Sequence, residues 1–271
     1  MEDTSIKMVK QYYDDTAEKE WDRLDSHPFE FVLTTWMMDK YIKSGDTILD
    51  IGGGPGRYSI YYAQNGCSVT LVDLSDSNIS LAEQKAKQFG VSIKSYAKNC
   101  LELDELNLEQ FDHVFLMGPL YHLQKENDRI NAVKAALRHL KKDGKLYVSF
   151  IMAFAGIIYD LQHAGYIVGD ANNPATAPLL ESVAHGNDYL GPGFTAVYFY
   201  NQNNILSFMQ RFTIEKLHLF GQESFLAPNK LDIIAREHSE INCWIELAKR
   251  YIELPELLSW SEHAMYIGNK L

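Results

Sequence analysis

A glycine-rich loop directly follows a short apolar run in this chain. Residues 47–51 have strand character, residues 52–56 read Gly-Gly-Gly-Pro-Gly, and residues 57–64 are helical in character. Glycines let a backbone turn tightly and approach a ligand closely, and the start of a helix offers free N–H groups. In open parallel sheets, ligands bind at the carboxyl ends of the strands. The loop therefore predicts a ligand site in an α/β fold.

The stretch around this loop alternates between strand and helix patterns. Buried-type strands linked by amphipathic helices are typical of a parallel sheet with helices on both faces. An intervening helix between residues 95 and 111 is not evident from the pattern. The predicted strands are 47–51, 69–72, 92–96, 113–117 and 145–150, and the helical stripes are 57–64, 79–89 and 130–140. Phe89 falls on the apolar face of the second stripe, and Asp143-Gly144 predicts a turn.

Outside this core the rhythm changes, but the sequence does not divide into two domains. Residues 153–193 predict a helical and looped insertion, with Asn172-Asn173-Pro174 and Gly191-Pro192-Gly193 as loop signals, and 206–212 predict a helix. An alternating segment at 212–220 and a final one at 263–270 predict two more strands. We predict one domain over residues 1–271, with these parts: a helical cap (1–46), a core (47–150), a lid and substrate insertion (151–200) and a C-terminal sheet part (201–271) with a helical insertion (222–260).

Charge limits the partners of this chain. Its 271 residues include 25 basic and 36 acidic ones, a net charge of −11. Proteins that bind phosphate backbones carry excess Lys and Arg. Residues 146–210 contain neither Lys nor Arg but many aromatic residues, so a cover built from them would repel nucleic acid and suit a small apolar, aromatic or cationic molecule.

Cysteine content and hydropathy indicate the compartment. Cys67, Cys100 and Cys243 are odd in number and far apart, which is typical of free thiols rather than a disulfide or metal framework. No metal site is predicted. The N-terminus lacks an apolar signal, and no apolar run approaches the ~20 residues that a bilayer requires. We expect a cytoplasmic protein without a membrane span.

The spacing of the glycines separates two ligand classes. Dinucleotide-binding loops follow G-x-G-x-x-G/A, and registering that pattern on Gly52 or Gly54 places Arg57 or Ser59 at the third glycine. The order Asp-Ile-Gly-Gly-Gly-Pro-Gly instead resembles motif I of the class I S-adenosylmethionine (SAM)-dependent methyltransferases. Three further segments resemble that family in order: Leu-Val-Asp-Leu-Ser at 71–75, the fourth-strand segment 111–123, and the fifth-strand segment 140–148.

The resemblance implies a Rossmann-like, doubly wound sheet of seven strands, mostly parallel with an antiparallel last strand, and SAM as cofactor. It implies that the loop glycines approach the methionine part and ribose of SAM, with Asp50 supporting the loop and the amino-group end. Asp73 would accept hydrogen bonds from both ribose hydroxyls, and Asn99 stands where many members carry an acid for adenine. The implied cofactor-binding residues are Asp50, Gly52, Gly53, Gly54, Gly56, Asp73, Leu74, Asn99, Cys100, Met117 and Tyr13.

Candidates for work on the acceptor come from the fourth-strand segment. The resemblance puts residues 117–122 beside the methyl group, and Tyr121 and His122 are the nearest polar side chains. His122 could take a proton, because histidine titrates near ~6.5. The alternative is that His122 is hydrogen-bonded to backbone under the sheet edge and that Tyr121 serves packing. A general base is needed only where the acceptor must lose a proton.

The sequence thus predicts a SAM-dependent methyltransferase acting on a small molecule. The alternatives are a nucleic-acid methyltransferase of the same fold and a SAM-binding protein without catalysis; the glycine spacing disfavours a nicotinamide oxidoreductase. The identity of the acceptor atom and the oligomeric state stay open.

Overall fold

The computed structural model of the protein describes residues 4–26, 28–163 and 176–271. Nine strands lie within these ranges. Two of them, β6 and β7, form a separate hairpin, and the others form one sheet. The strands are β1 (Thr47–Ile51), β2 (Ser68–Asp73), β3 (Lys94–Ala97), β4 (Phe111–Leu116), β5 (Leu140–Ile151), β6 (Tyr189–Pro192), β7 (Ala196–Phe199), β8 (Ile214–Gly221) and β9 (His263–Lys270).

Helices occupy both faces of the sheet and its carboxyl edge. Short 3-10 turns at Cys100–Leu106, Pro119–Tyr121, Ser224–Asn229 and Pro255–Trp260 join some of them to the strands. The α-helices in the described ranges are α1 (Thr4–Ser26), α2 (Pro28–Met38), α3 (Arg57–Gln64), α4 (Asp76–Gln88), α5 (Glu126–Arg138), α6 (Ala155–His163), α7 (Ala177–Ala184), α8 (Gln202–Met209), α9 (Lys230–Ile234) and α10 (His238–Tyr251).

The seven-stranded sheet has the order β3-β2-β1-β4-β5-β9-β8. Strands β1 to β5 pair in parallel, whereas β9 runs antiparallel to both β5 and β8. The predicted mostly parallel sheet with an antiparallel last strand is confirmed. The order reverses between β1 and β4, where ligands bind in open α/β sheets.

Alternation along the central strands builds two apolar layers. Leu49 and Ile51 face one side with α5 and α8, while Ile48 faces the other side with α2, α3 and α10. Phe115 of β4 packs on the same side as Ile48. Since successive side chains of a strand point to opposite faces, each buried strand contributes to both layers. The unbroken apolar runs in the sequence have this cause.

Two predicted elements differ from the structure. The predicted turn at Asp143-Gly144 is a bulge inside β5, because pairing with β4 shifts between Phe111↔Leu140 and His113↔Lys145. Asp143 takes a left-handed φ of 61° there. Phe89, expected on the buried face of α4, ends that helix and is exposed, although its ring packs against Trp21.

The first insertion is only partly helical. Its helices α6 and α7 are followed by the β6–β7 hairpin, although the Gly191-Pro192-Gly193 signal predicts a loop there. Pro192 is tolerated because it ends a strand of a two-stranded sheet. The predicted Asn172-Asn173-Pro174 loop lies outside the described residues. The second insertion is mostly helical, as predicted, with α9, α10 and two 3-10 turns.

The three cysteines are unpaired, as expected: Cys67 is buried, Cys100 half-buried and Cys243 exposed. Within the described ranges, no helix combines the length and apolar character needed to cross a bilayer. The division into cap, core and insertions stays a prediction.

Candidate active site

The loop after β1 is shaped by positions where only glycine fits. Gly52 has a φ of 72°, and a Cβ there would stand 2.5 Å from the Cδ atom of Pro119. A Cβ on Gly53 would stand 2.4 Å from the Asp50 carboxylate. Gly54 also has a positive φ, but a Cβ there would make only ordinary contacts, 3.8 Å from Glu20 and 3.9 Å from Asn78. The loop therefore presents bare backbone to the cavity beside it.

Asp50 lies beneath this loop at the end of β1. Its Oδ2 atom accepts a hydrogen bond of 2.7 Å from the hydroxyl of Ser59. The carboxyl group is buried, and burial raises its pKa to about 7, with Asp73 adding to the rise. A cationic group bound next to it would favour ionisation of the carboxyl.

Asp73 ends β2 and is held by three N–H donors. Its Oδ1 accepts from the backbone of Ser75 and the side chain of Asn78, and its Oδ2 accepts from the backbone of Gly54 at 2.9 Å. Burial raises its pKa, and these hydrogen bonds oppose the rise. Three of the four lone-pair sites of the carboxylate are therefore taken, and Oδ2 retains one for a further donor.

The other predicted cofactor residues differ in position. Leu74, Asn99, Cys100 and Met117 line the same cavity as Asp73. The Asn99 side-chain oxygen already accepts from the Leu101 N–H and thereby caps the 3-10 turn. Burial raises the pKa of the Cys100 thiol to about 12, so it stays protonated.

Gly56 has a different position from the other loop glycines, because it is not among the residues that line the cavity. It precedes α3 with a φ of 83°, and a Cβ there would stand 3.2 Å from Ala82 of α4. Gly56 therefore allows the turn into α3 and the close packing of α3 against α4.

Helix α1 covers the cavity from the N-terminal side. It is kinked at Thr16, and Ile6, Val9 and Tyr13 on one face line the cavity. Asp14 accepts hydrogen bonds from the hydroxyl of Ser75 and the backbone of Ser77, which join α1 to the start of α4. The helix is thus attached beside the Asp73 end of the cavity.

His122 joins α1 to the β6–β7 hairpin. Its Nε2 lies 2.8 Å from the hydroxyl of Tyr13, and its Nδ1 lies 3.0 Å from the hydroxyl of Thr195. Burial lowers the pKa of this imidazole to about 3, so it is neutral. Both ring nitrogens are engaged in these contacts. Tyr121 also lines the cavity, and its role and that of His122 in catalysis stay predictions.

A polar end of the cavity was not predicted. We call it the acceptor compartment; its residues are Arg23, Glu30, Tyr58, Ser149, Gln222 and His263. Gln222 follows β8 and His263 begins the antiparallel β9, so both stand at the same sheet edge as Gly52 and Asp73. A polar residue directly after a strand, as at Gln222, is the one signal that could have revealed it.

Charges in the acceptor compartment are neutralised in pairs. The Arg23 guanidinium contacts Glu30 at 2.5 Å and Glu20 at 2.8 Å. His263 Nδ1 lies 2.6 Å from Glu223, a buried carboxylate whose other oxygen accepts from the Ser261 hydroxyl. Unpaired buried charges are costly, so this pairing is what lets the compartment be both polar and enclosed.

Glu30, Glu223 and His263 form a cluster close enough to be tested as a metal site, with ligand atoms within 4.8 Å of one another. Both oxygens of Glu30 face Arg23, however, and both oxygens of Glu223 accept hydrogen bonds. A cation would have to displace Arg23 and these donors. The donor set therefore fits an internal ion-pair network better than a metal centre.

The cavity as a whole encloses about 1180 Å³, including open solvent at its mouth. Three basic side chains line it, and each is paired: Arg23 with Glu30, Arg57 with Asp25, and Lys98 with Glu105. Described residues from 151 to 200 do not line it, but Phe194 and Thr195 contact residues that do. The insertion at residues 151–200 thus contacts the cavity wall through His122 and does not line the cavity itself.

Known proteins resemble this chain in part of its sequence and in its fold. A family model described as a methyltransferase domain matches residues 48–144. The ubiquinone biosynthesis O-methyltransferase of Pseudomonas fluorescens (strain Pf0-1) is 27% identical over 139 residues, which are 50% of this chain and 59% of that protein. The chain thus spans less than two thirds of the length of this relative.

Solved structures match over nearly the whole chain. Magnesium protoporphyrin IX methyltransferase from Synechocystis PCC 6803, with bound S-adenosylhomocysteine (SAH), has a TM-score of 0.59 at 14% identity and covers 98% of this chain and 100% of its own. The N-methyltransferase NodS from Bradyrhizobium japonicum WM9 has a TM-score of 0.55 at 14% identity, covering 95% and 98%. At this identity the likeness shows the fold. With the domain match, it shows that residues 48–144 resemble a methyltransferase domain.

Proposed function

We propose that this protein is an enzyme that transfers a methyl group from SAM to a small-molecule acceptor. The observation that carries the proposal is a single cavity with two chemically different ends. The glycine loop and Asp73 line one end, and the acceptor compartment lines the other. A bisubstrate transfer requires two such adjoining sites.

The first end fits the cofactor in shape and in donor chemistry. Bare backbone at Gly52 and Gly53 lines this end of the cavity and leaves room for the methionine part of SAM; a Cβ on Gly52 would collide with Pro119, and one on Gly53 with Asp50, so either would displace the loop. Asp73 offers an oriented carboxylate oxygen to the ribose hydroxyls. Asp50 lies below the loop as the nearest carboxyl group for the amino end of the cofactor.

The chain contributes alignment and exclusion of water. Bound SAM supplies an activated methyl group, and the transfer is a displacement in line with the departing sulfur. Helix α1 closes one side of the cavity through Tyr13 and its Asp14 contacts with α4. Holding both reactants in one enclosed space lowers the barrier by removing motional freedom and solvent.

The alternatives are less well supported. A nucleic-acid substrate needs unpaired cations at the site, whereas the three basic side chains lining this cavity are paired with carboxylates. Several curated relatives are named O-methyltransferases of ubiquinone biosynthesis, which favours a small molecule. A SAM-binding protein without catalysis would not need the acceptor compartment.

The free thiols fit a reducing compartment, so we place the protein in the cytoplasm.

Isothermal titration calorimetry tests the cofactor assignment. We expect SAM and SAH to bind with dissociation constants below about 100 μM and NAD to give no heat of binding. Binding of NAD in place of SAH would reject the proposal. A basic groove revealed by salt-sensitive binding of RNA would instead favour the nucleic-acid alternative.

A further inference from the structure

The acceptor compartment includes one histidine, and a ring nitrogen of that side chain is available to a ligand. Most other polar atoms of the compartment already have partners inside the protein. The two oxygens of Glu30 face the Arg23 guanidinium. The Gln222 amide accepts from Ser149 and donates to Thr34. These groups shape the wall of the compartment, but their hydrogen bonds are already made.

His263 differs from them. Its Nδ1 lies 2.6 Å from Glu223, and no described residue forms a hydrogen bond with its Nε2. His263 lines the cavity whereas Glu223 does not, so Nδ1 faces the protein interior and Nε2 is left for a ligand. The side chain retains 18% exposure in an otherwise buried cluster.

Glu223 is held in place to orient this imidazole. It is 1% exposed, and its Oε2 accepts from the backbone N–H groups of Glu262 and His263 at 3.1 Å and from the Ser261 hydroxyl. In the neutral imidazole, a fixed carboxylate on Nδ1 selects the tautomer with its proton on Nδ1. Nε2 of that neutral form is then a proton acceptor, which is how a histidine is prepared for general-base catalysis.

We propose that His263 is the general base of the reaction and that the acceptor is a small aromatic compound with a hydroxyl group, a phenol or catechol. This inference rests on the proposed methyltransferase function. Aromatic and soft side chains line the same cavity, namely Tyr13, Tyr58, Tyr121 and Met117, and suit a planar ring. An amine acceptor in its neutral form needs no base, so the oriented imidazole favours oxygen.

A lone pair of the acceptor oxygen forms the new O–C bond to the methyl group. The S–C bond of SAM breaks, its electron pair stays on sulfur, and SAH leaves as a neutral thioether. The hydroxyl proton goes to Nε2 of His263, and Glu223 stabilises the resulting imidazolium. The proton then passes to solvent when the products leave.

The charges around His263 set the pH range of this step. Glu223 and Glu30 raise the pKa of the imidazole to about 9, against the lowering effects of burial and Arg23. Only the neutral imidazole accepts a proton, so turnover rises with pH until His263 is deprotonated. The charged and titratable groups around it are Arg23 on α1, Glu30 on α2, Tyr58 on α3, Glu223 after β8, Lys230 on α9 and Glu262 before β9.

The experiment measures SAH release with catechol, nitrocatechol and hydroxybenzoate, beside aniline and benzoate as controls without a phenolic hydroxyl. We expect turnover of hydroxyl compounds alone. His263→Gln should lower kcat about a hundredfold or more, with unchanged SAH affinity and melting temperature. His218→Gln is the matched control, because His218 also pairs with a glutamate, Glu253, at 2.6 Å, but lies outside the cavity.

Two further readouts separate catalysis from structure. Glu223→Gln should move the acidic limb of the kcat/KM profile to lower pH, because it removes the charge that raises the pKa of His263. At a pH below the ~10 at which a free phenol ionises, the difference spectrum of bound catechol should show phenolate absorbance with the wild-type protein and SAH, but not with His263→Gln. This second measurement reports proton transfer without turnover.

Different results overturn different proposals. Bound SAH with turnover of aniline, no turnover of any hydroxyl compound, or equal kcat values for wild type and His263→Gln would overturn the role of His263 and leave the methyltransferase proposal standing. A requirement for a divalent cation, tested with EDTA, would overturn it in favour of metal activation. Failure to bind SAM or SAH at all would overturn both proposals.

Discussion

The two ends of the cavity are built in different ways. At the cofactor end, each key group directly follows a strand of the parallel half of the sheet: Gly52 after β1, Asp73 at the end of β2 and Asn99 after β3. The acceptor compartment instead gathers side chains from α1, α2, α3, β5, β9 and the residue after β8. The first end depends on local backbone geometry, and the second depends on long-range packing.

Their electrostatics differ for the same reason. Backbone N–H groups and short side chains orient the single carboxylate of Asp73. The acceptor compartment holds full charges that neutralise one another, as in the Arg23–Glu30 and His263–Glu223 pairs. A site for one recurring cofactor can be a short motif, whereas a site for a particular acceptor is assembled from the parts that differ among proteins of this fold.

The largest expected effect is the loss of binding at the cofactor end of the cavity. Gly52→Ala and Gly90→Ala both place a side chain at a φ near 71–72°, which costs about 1–2 kcal/mol. Only the Cβ at position 52 meets another group, 2.5 Å away on Pro119, while position 90 has nothing within 4 Å. Calorimetry should show loss of SAH binding in the first variant and wild-type affinity in the second. Equal affinities would contradict the close approach of the loop to the cofactor.

Asp73→Ala should weaken SAH binding at least tenfold, about 1.4 kcal/mol, since it removes the acceptor assigned to the ribose hydroxyls. The control is Asp76→Ala, three residues further along. That carboxylate is exposed and pairs with Lys10 outside the cavity. Melting curves first establish that both variants are folded. Calorimetric titrations then compare their SAH affinities. An unchanged affinity for Asp73→Ala would reject the ribose assignment.

Asp50 should make cofactor affinity depend on pH. Burial raises its pKa to about 7, so the carboxyl is protonated below that pH and ionised above it. The cofactor's ammonium group favours the ionised form, and affinity should therefore fall, by up to about tenfold per pH unit, as pH drops below 7. Asp50→Asn can still accept the Ser59 hydrogen bond and should flatten this profile. A pH-independent wild-type affinity would refute the prediction.

The smallest effect is expected where the two ends meet. Tyr13→Phe removes the hydrogen bond to His122 but retains the ring packing on Tyr12 and His122. A net hydrogen bond contributes about 1 kcal/mol, so SAH affinity should fall several-fold without a shift of the pH profile. Tyr12→Phe, outside this contact, is the control. A shifted profile would show that His122, rather than His263, takes up the proton.

The acceptor compartment shows why part of the site could not be predicted from the sequence. Tyr121 and His122 were chosen because they follow β4, and they do line the cavity. His263 and Glu223 lie 40 residues apart at the ends of two different strands, and their pairing follows from the β8–β9 register. Arg23 and Glu30 join them only because α1 and α2 fold back over the same sheet edge. No spacing in the sequence records those contacts.

The sequence by itself determined the strand–glycine–helix unit, the acid after β2 and the parallel core. In each of these the interacting groups lie a few residues apart, so backbone geometry and the hydrophobic pattern specify them directly. Only the tertiary structure decided the β5 bulge, the β6–β7 hairpin and the membership of the acceptor compartment. Those features depend on which strands become neighbours and which charges are buried together, and these are properties of the packed chain rather than of any segment.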